Sequence, residues 1–158
     1  MLEYQKGDIF EADTDAIVNT VNCVGVMGKG IAAQFKKRYP KMFKDYKAKC
    51  DRGEIRLGEV DSFSEGGKCI VNFPTKGHWR AKSRLDDINS GLVALRSFIE
   101  KGEIASIAIP PLGCGNGGLV WDDVMHAIEV NLQGLDDVRV VVYEPILRTS
   151  PRSSKETP

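Results

Sequence analysis

The sequence predicts an α/β sandwich built on a mixed, mainly parallel sheet. Short apolar, β-branched runs alternate along the chain with segments of helical spacing, the pattern of crossover units. The runs Ile107-Ala108-Ile109 and Val140-Val141-Val142 are continuously apolar, as suits strands buried on both faces. Two glycine-rich stretches then mark a functional edge. Residues 25–33 read Gly-Val-Met-Gly-Lys-Gly-Ile-Ala-Ala, and residues 110–119 read Pro-Pro-Leu-Gly-Cys-Gly-Asn-Gly-Gly-Leu. Each follows an apolar run and leads into a helical pattern, and ligands of open α/β sheets sit beyond the carboxyl ends of strands.

The elements follow in order. Residues 2–6 are a weak strand candidate, and Ala16–Val21 is a clear one. The first glycine loop leads into a helix at Gly30–Arg38. A second helix, 41–51, begins just after Pro40, as a proline near a helix start allows. Residues 59–63 form another weak strand and 68–73 a strong one. Leu85, Ile88, Leu92, Leu95 and Ile99 repeat at helical spacing over 84–101, and Gly102 ends that helix. A strand at 106–110, the second loop, a helix at 122–132 and a strand at Arg139–Tyr143 complete the domain, 1–147. Residues 148–158 are polar and proline-bearing, which predicts a disordered tail or a truncated linker.

Composition narrows the function. A length of 158 residues fits one domain with a sizeable core. Lysine plus arginine (22) equals aspartate plus glutamate (22), so the net charge is zero and a basic nucleic-acid coat is excluded, though a local basic patch is not. No stretch is long and apolar enough to span a membrane, and the N-terminus has no signal-peptide pattern. The four cysteines, Cys23, Cys50, Cys69 and Cys114, are scattered and lack zinc-ligand spacing. The expectation is a cytoplasmic, monomeric protein with reduced thiols and no metal.

The candidate residues cluster at strand ends. Glycine lets backbone N–H groups close on a phosphate, and a helix N-terminus favours negative charge, so both loops read as anion sites. Lys29 lies inside the first loop, which lacks the P-loop spacing. Asp8, beside Ile9, reads either as a hydrogen-bond acceptor for a ligand or as an Asx-turn. Asn19 and Asn22 bracket a strand end; their amides suit ribose hydroxyls or simply shape the loop. Thr75 and Lys76 fall at the ligand edge, followed by His78, Trp79 and Arg80. An amine next to a cleft becomes a nucleophile when desolvation or neighbouring cations favour its neutral form. The aromatic and basic residues after it can stack on a nucleobase and hold a phosphate. Cys114 lies between two glycines without a histidine base beside it in sequence, and reads as a small loop residue.

Together these stretches resemble the macrodomain family, from residue 1 to about 147. The resemblance rests on Gly7-Asp8-Ile9, on Ala16–Val21 with Asn22, on the first loop, on Ile109 through Gly115, and on Val141-Val142-Tyr143-Glu144. It implies a three-layer α/β/α fold that binds ADP-ribose as ligand or product, with no cofactor. Asp8 and Ile9 would hold the adenine. Asn19, Thr20, Val21, Asn22, Gly28, Lys29, Gly30, Ile31 and Ala32 would surround the distal ribose and a phosphate. Pro111, Leu112, Gly113, Cys114, Gly115, Asn116, Gly117, Gly118 and Leu119 would cradle the diphosphate, with Thr75 and Tyr143 completing the site. Phe73 through Arg80, with Ser83, is similar to the DarG antitoxin branch, which removes ADP-ribose from DNA bases modified by the partner toxin DarT. That similarity implies ADP-ribosylated single-stranded DNA as substrate, Lys76 as catalytic residue, and His78, Trp79, Arg80 and Ser83 as nucleic-acid contacts. Related terminal ADP-ribose glycohydrolases share the lysine and add an aspartate in the second loop, where Gly117 stands here. The other readings are an ADP-ribose-binding module without turnover, a hydrolase of ADP-ribosyl esters on proteins, or one acting on the terminal phosphate of an ADP-ribose phosphate.

Overall fold

The structure, a computed structural model, describes residues 2–146; the tail expected at 148–158 lies outside them. Six strands form one sheet: β1 (Leu2–Gln5), β2 (Ala16–Val21), β3 (Asp61–Glu65), β4 (Lys68–Pro74), β5 (Ser106–Ile109) and β6 (Arg139–Tyr143). Their spatial order is β1-β6-β5-β2-β4-β3. Every neighbouring pair is parallel except β3 with β4. The helices are α1 (Gly30–Arg38), α2 (Pro40–Asp51), α3 (Leu85–Lys101) and α4 (Trp121–Leu132).

Strand alternation sorts the core into two faces. Ala16, Val18, Val71, Phe73, Ile107, Ile109, Val140 and Val142 join the apolar stripes of α3 and α4. Ile17, Val21, Ile70, Ala108, Val141 and Tyr143 join Phe35 of α1 and Met42 and Tyr46 of α2. Both faces are covered, which gives the three layers and explains the continuous apolar runs.

Several boundaries shift by a residue or two from the sequence reading, and two of the shifts have a plain physical reason. Helix α2 starts at Pro40, whose missing N–H costs nothing in a first turn. Strand β3 occupies Asp61–Glu65 rather than 59–63. Gly66 (φ 62°) and Gly67 (φ 77°) make a two-residue turn with both φ angles positive, and that turn sets the register Glu65↔Lys68.

Candidate functional site

A cleft of about 1100 Å³ opens across the carboxyl ends of the parallel strands. The first loop forms one wall. Asn22 shapes it: its Oδ1 accepts from the Val24 and Val26 N–H groups at 3.1 and 3.3 Å, and its Nδ2 donates to the Val26 carbonyl at 2.8 Å. From α2, the buried Tyr46 hydroxyl donates to the Asn22 carbonyl at 2.8 Å. The loop then enters α1, whose first capturing bond is Ala33 N–H to the Lys29 carbonyl. The N–H groups of Gly30, Ile31 and Ala32 are first-turn donors without intrahelical partners, and all three residues line the cleft.

The second loop forms the facing wall. Gly113, Gly115 and Gly118 adopt φ of 72°, 69° and 81°, conformations open to glycine at no steric cost. A 3-10 turn, Gly115–Gly117, carries the loop past the cleft. Cys114 packs its side against the α3/α4 core, and burial pushes its thiol up to about 11. That environment disfavours a thiolate nucleophile.

Lys76 is held between two backbone pins. The Thr75 N–H donates to the Val21 carbonyl at 2.9 Å, and the Cys23 N–H donates to the Gly77 carbonyl at 3.1 Å. Both pins tie the segment after β4 to the exit of β2, the adjacent strand. Beyond Lys76, Trp79 is exposed, stacked on His78 with centroids 5.1 Å apart, and carries the Arg80 guanidinium 4.5 Å over its ring. At the opposite end Asp8 accepts from the Phe10 N–H at 2.9 Å, so the Asx-turn is present and holds the carboxylate at the rim. Ile9 is buried, and Phe10 lies under Arg38 at 4.3 Å.

Strand order therefore sorts the charges. Asp8 and Glu144 follow β1 and β6. The glycine loops follow β5 and β2 in the middle. Lys76 and Arg80 follow β4 at the far end, and Lys82 reaches back over Gly118 of the second loop. A neutral chain thus carries a polarised cleft. Among the described residues no group of three or more His, Cys, Asp or Glu side chains is placed to hold a metal.

Most of the residues expected at the site meet in this cleft: Asp8, Ile9, Thr20, Val21, Asn22, Gly28, Lys29, Gly30, Ile31, Ala32, Thr75, Lys76, Trp79, Arg80, Pro111, Gly113, Cys114, Gly115, Asn116, Gly117 and Tyr143. Six do not line it. Asn19 is fully buried and donates to Asn72 Oδ1 at 3.1 Å, its register partner on β4. Leu112 and Leu119 turn into the α3/α4 core. Gly118 sits beneath the Lys82 side chain. His78 does not line the cleft; its ring stacks on Trp79. Ser83, expected at a nucleic-acid strand, is buried and wedged between Gly113 and Gly117. A Cβ on Gly117 would lie 2.4 Å from Ser83 Oγ, so an aspartate there requires Ser83 to move. The sequence reading missed Phe10, Gln34 and Ile146, which also line the cleft, and it gave no individual site role to Val26, Lys82 or Glu144, which line it too. Glu144 sits just past a strand's carboxyl end, a signal that was available.

Comparison with known proteins agrees with this geometry. The Macro domain family profile matches residues 18–128. A Mycobacterium tuberculosis protein named DNA ADP-ribosyl glycohydrolase is 54% identical over 149 residues, covering 92% of this chain and 42% of that protein. The chain spans less than half the length of that relative. The solved macrodomain of Mycobacterium tuberculosis DarG superposes with a TM-score of 0.89 at 53% identity, covering 92% of this chain and 98% of that one. Thermosipho africanus DarTG in complex with ADP-ribose gives a TM-score of 0.85 at 30% identity, covering 96% of this chain and 44% of that one. A six-stranded mixed sheet with two glycine walls over its central strands, and a profile match across most of the chain, place this protein in the macrodomain family.

Proposed function

We propose that this domain removes ADP-ribose from ADP-ribosylated bases in single-stranded DNA, as the antitoxin to a DarT-type DNA ADP-ribosyltransferase. The observation that carries the reading is Lys76, pinned at the cationic, aromatic end of a cleft whose other end is acidic. Adenine offers an amino group to Asp8, the diphosphate meets the glycine loops, and the distal ribose reaches Lys76. Relatives at 54% and 43% identity, from Mycobacterium tuberculosis and Thermus aquaticus, carry the name DNA ADP-ribosyl glycohydrolase, which supports it. The DarTG fusion solved with ADP-ribose supports a toxin partner and this ligand. A monomer acting in the cytoplasm without a cofactor belongs to the same proposal; among the described residues no helix is long and apolar enough to cross a membrane.

The bond to break joins the anomeric carbon of the distal ribose to a base nitrogen. Lys76 Nζ adds to that carbon while the base leaves with the C–N electron pair and takes up a proton. The ring C–O bond of the adduct then opens to an imine, its electron pair going to the ring oxygen, which takes the amine's proton; water adds to the imine, returning the amine and releasing ADP-ribose. The cleft carboxylates Asp8 and Glu144 lie at the opposite end, so neither serves as a base for water at the ribose. That arrangement favours the amine route. The exposed Trp79–Arg80 pair offers a stacking face and a cation to the flanking strand.

The test is a single-stranded oligomer bearing one ADP-ribosyl base, followed by mass spectrometry. The protein is expected to return bare DNA. Lys76→Ala is expected to lose turnover by about a thousandfold or more while still binding ADP-ribose. Borohydride should trap a Lys76 adduct; lysine-dependent turnover without an adduct would assign Lys76 to stabilising the leaving base instead. An intact oligomer, with free ADP-ribose still bound, points to a binding module or a protein-linked substrate.

A further inference from the structure

The segment between the Trp79–Arg80 pair and α3 docks on the second glycine loop. The Ser83 N–H donates to the Gly117 carbonyl at 3.0 Å. Ser83 Cβ lies 3.2 Å from where a Cβ on Gly113 would be and 3.0 Å from where one on Gly117 would be. The residue thus fills the gap that two glycines leave. Its hydroxyl is buried without a hydrogen-bond partner, so shape and the backbone bond hold it there. Its neighbour Lys82 inherits this anchorage. Lys82 Cδ and Nζ lie 3.5 and 3.6 Å from the Cβ position of Gly118, which drapes the side chain along the loop. Lys82 lines the cleft and has no hydrogen bond or ion pair with another described residue. By contrast Lys49 is paired with Asp45 and Asp61, and Lys68 donates to the Ala12 carbonyl.

We propose that Lys82 is a phosphate-binding residue that takes the ADP-ribose diphosphate against the second glycine loop, and that Ser83 is the positioning residue that keeps it there. This deepens the ADP-ribose reading and rests on it. A backbone loop supplies N–H dipoles but no formal charge. A doubly charged diphosphate in the cleft needs a cation to offset its desolvation. Lys76 is committed to the ribose, and Arg80 is stacked on Trp79. Lys29 lines the cleft from the first loop, on the other wall. Lys82 is the cation fixed to the loop itself.

The same ammonium would also suit a phosphodiester of the DNA strand, so the experiment separates the two. Free ADP-ribose and an unmodified single-stranded oligomer are titrated by calorimetry against the protein, Lys82→Gln and Lys82→Arg. The expected result is an ADP-ribose Kd about tenfold higher in Lys82→Gln, an effect that shrinks as salt rises. Lys82→Arg should restore most of the affinity, and oligomer binding should not change. In a double-mutant cycle Ser83→Gly should weaken ADP-ribose binding in the native background and add little to Lys82→Gln. Unchanged ADP-ribose affinity in Lys82→Gln overturns the proposal; if oligomer binding falls instead, the ammonium serves the strand. Additive losses overturn the role of Ser83. A native protein that binds no ADP-ribose overturns the ligand reading itself, and with it this inference.

Discussion

Cys114 stands between two glycines of the cleft wall, yet its surroundings make it a poor nucleophile. Burial against the α3/α4 core holds the thiol at about 11. At pH 8 such a group is roughly one part in a thousand thiolate, against about a quarter for a free thiol with a pKa near 8.5. Iodoacetamide at pH 8 should therefore modify Cys114 roughly two-hundredfold more slowly in the folded protein than in urea, as read by peptide mass mapping. Equal rates would contradict the burial argument. Individual residues were legible where backbone geometry does the work: the two loops, Asp8 and Lys76 stand where strand ends place them. Asn19 and Ser83 were not, because their side-chain directions depend on long-range neighbours. Asn19 turns to Asn72, 53 residues away in sequence. Ser83 is buried by glycines some thirty residues on, which no local pattern announces.

At the scale of elements, α3 crosses β4 at Gly91. A Cβ there would lie 2.4, 2.8 and 3.1 Å from three atoms of the Phe73 ring, which is fully buried. Glycine in a helix interior normally costs about 1 kcal/mol relative to alanine. Here the close approach outweighs that term, since overpacking a rigid core costs about 1–3 kcal/mol. Gly91→Ala should lower the thermal midpoint despite its better helix propensity; a raised midpoint would show that Phe73 can yield. The sequence placed this helix correctly because Leu85 to Ile99 repeat at its period. It could not show why Gly91 interrupts it, since the reason sits on another element. The slip of β3 has the same character. Two adjacent glycines dictate a tight hairpin turn, and turn chemistry, not apolar content, fixed the register of an edge strand.

The molecule as a whole hides its polarity behind a balanced composition. Twenty-two cations and twenty-two anions cancel in the sequence, and only the crossover order β1-β6-β5-β2-β4-β3 separates them along the cleft. Burial also gives the whole protein a common response to pH. The thiols of Cys23, Cys50, Cys69 and Cys114 and the hydroxyls of Tyr46 and Tyr143 are all held above their ordinary range, with burial the leading cause each time. Each group keeps its proton in the native state after the unfolded chain has released it. The unfolded state then binds fewer protons, so stability falls as pH rises. The contribution is complete below the free-thiol value of about 8.5 and is lost through a window that runs past about 11 for Cys114. Urea midpoints measured from pH 7.5 to 10.5 should fall steadily with an unchanged slope against denaturant. A flat or rising midpoint would mean that these groups ionise in the folded protein as they do in the unfolded chain. Their burial would then not govern the alkaline limit of this domain.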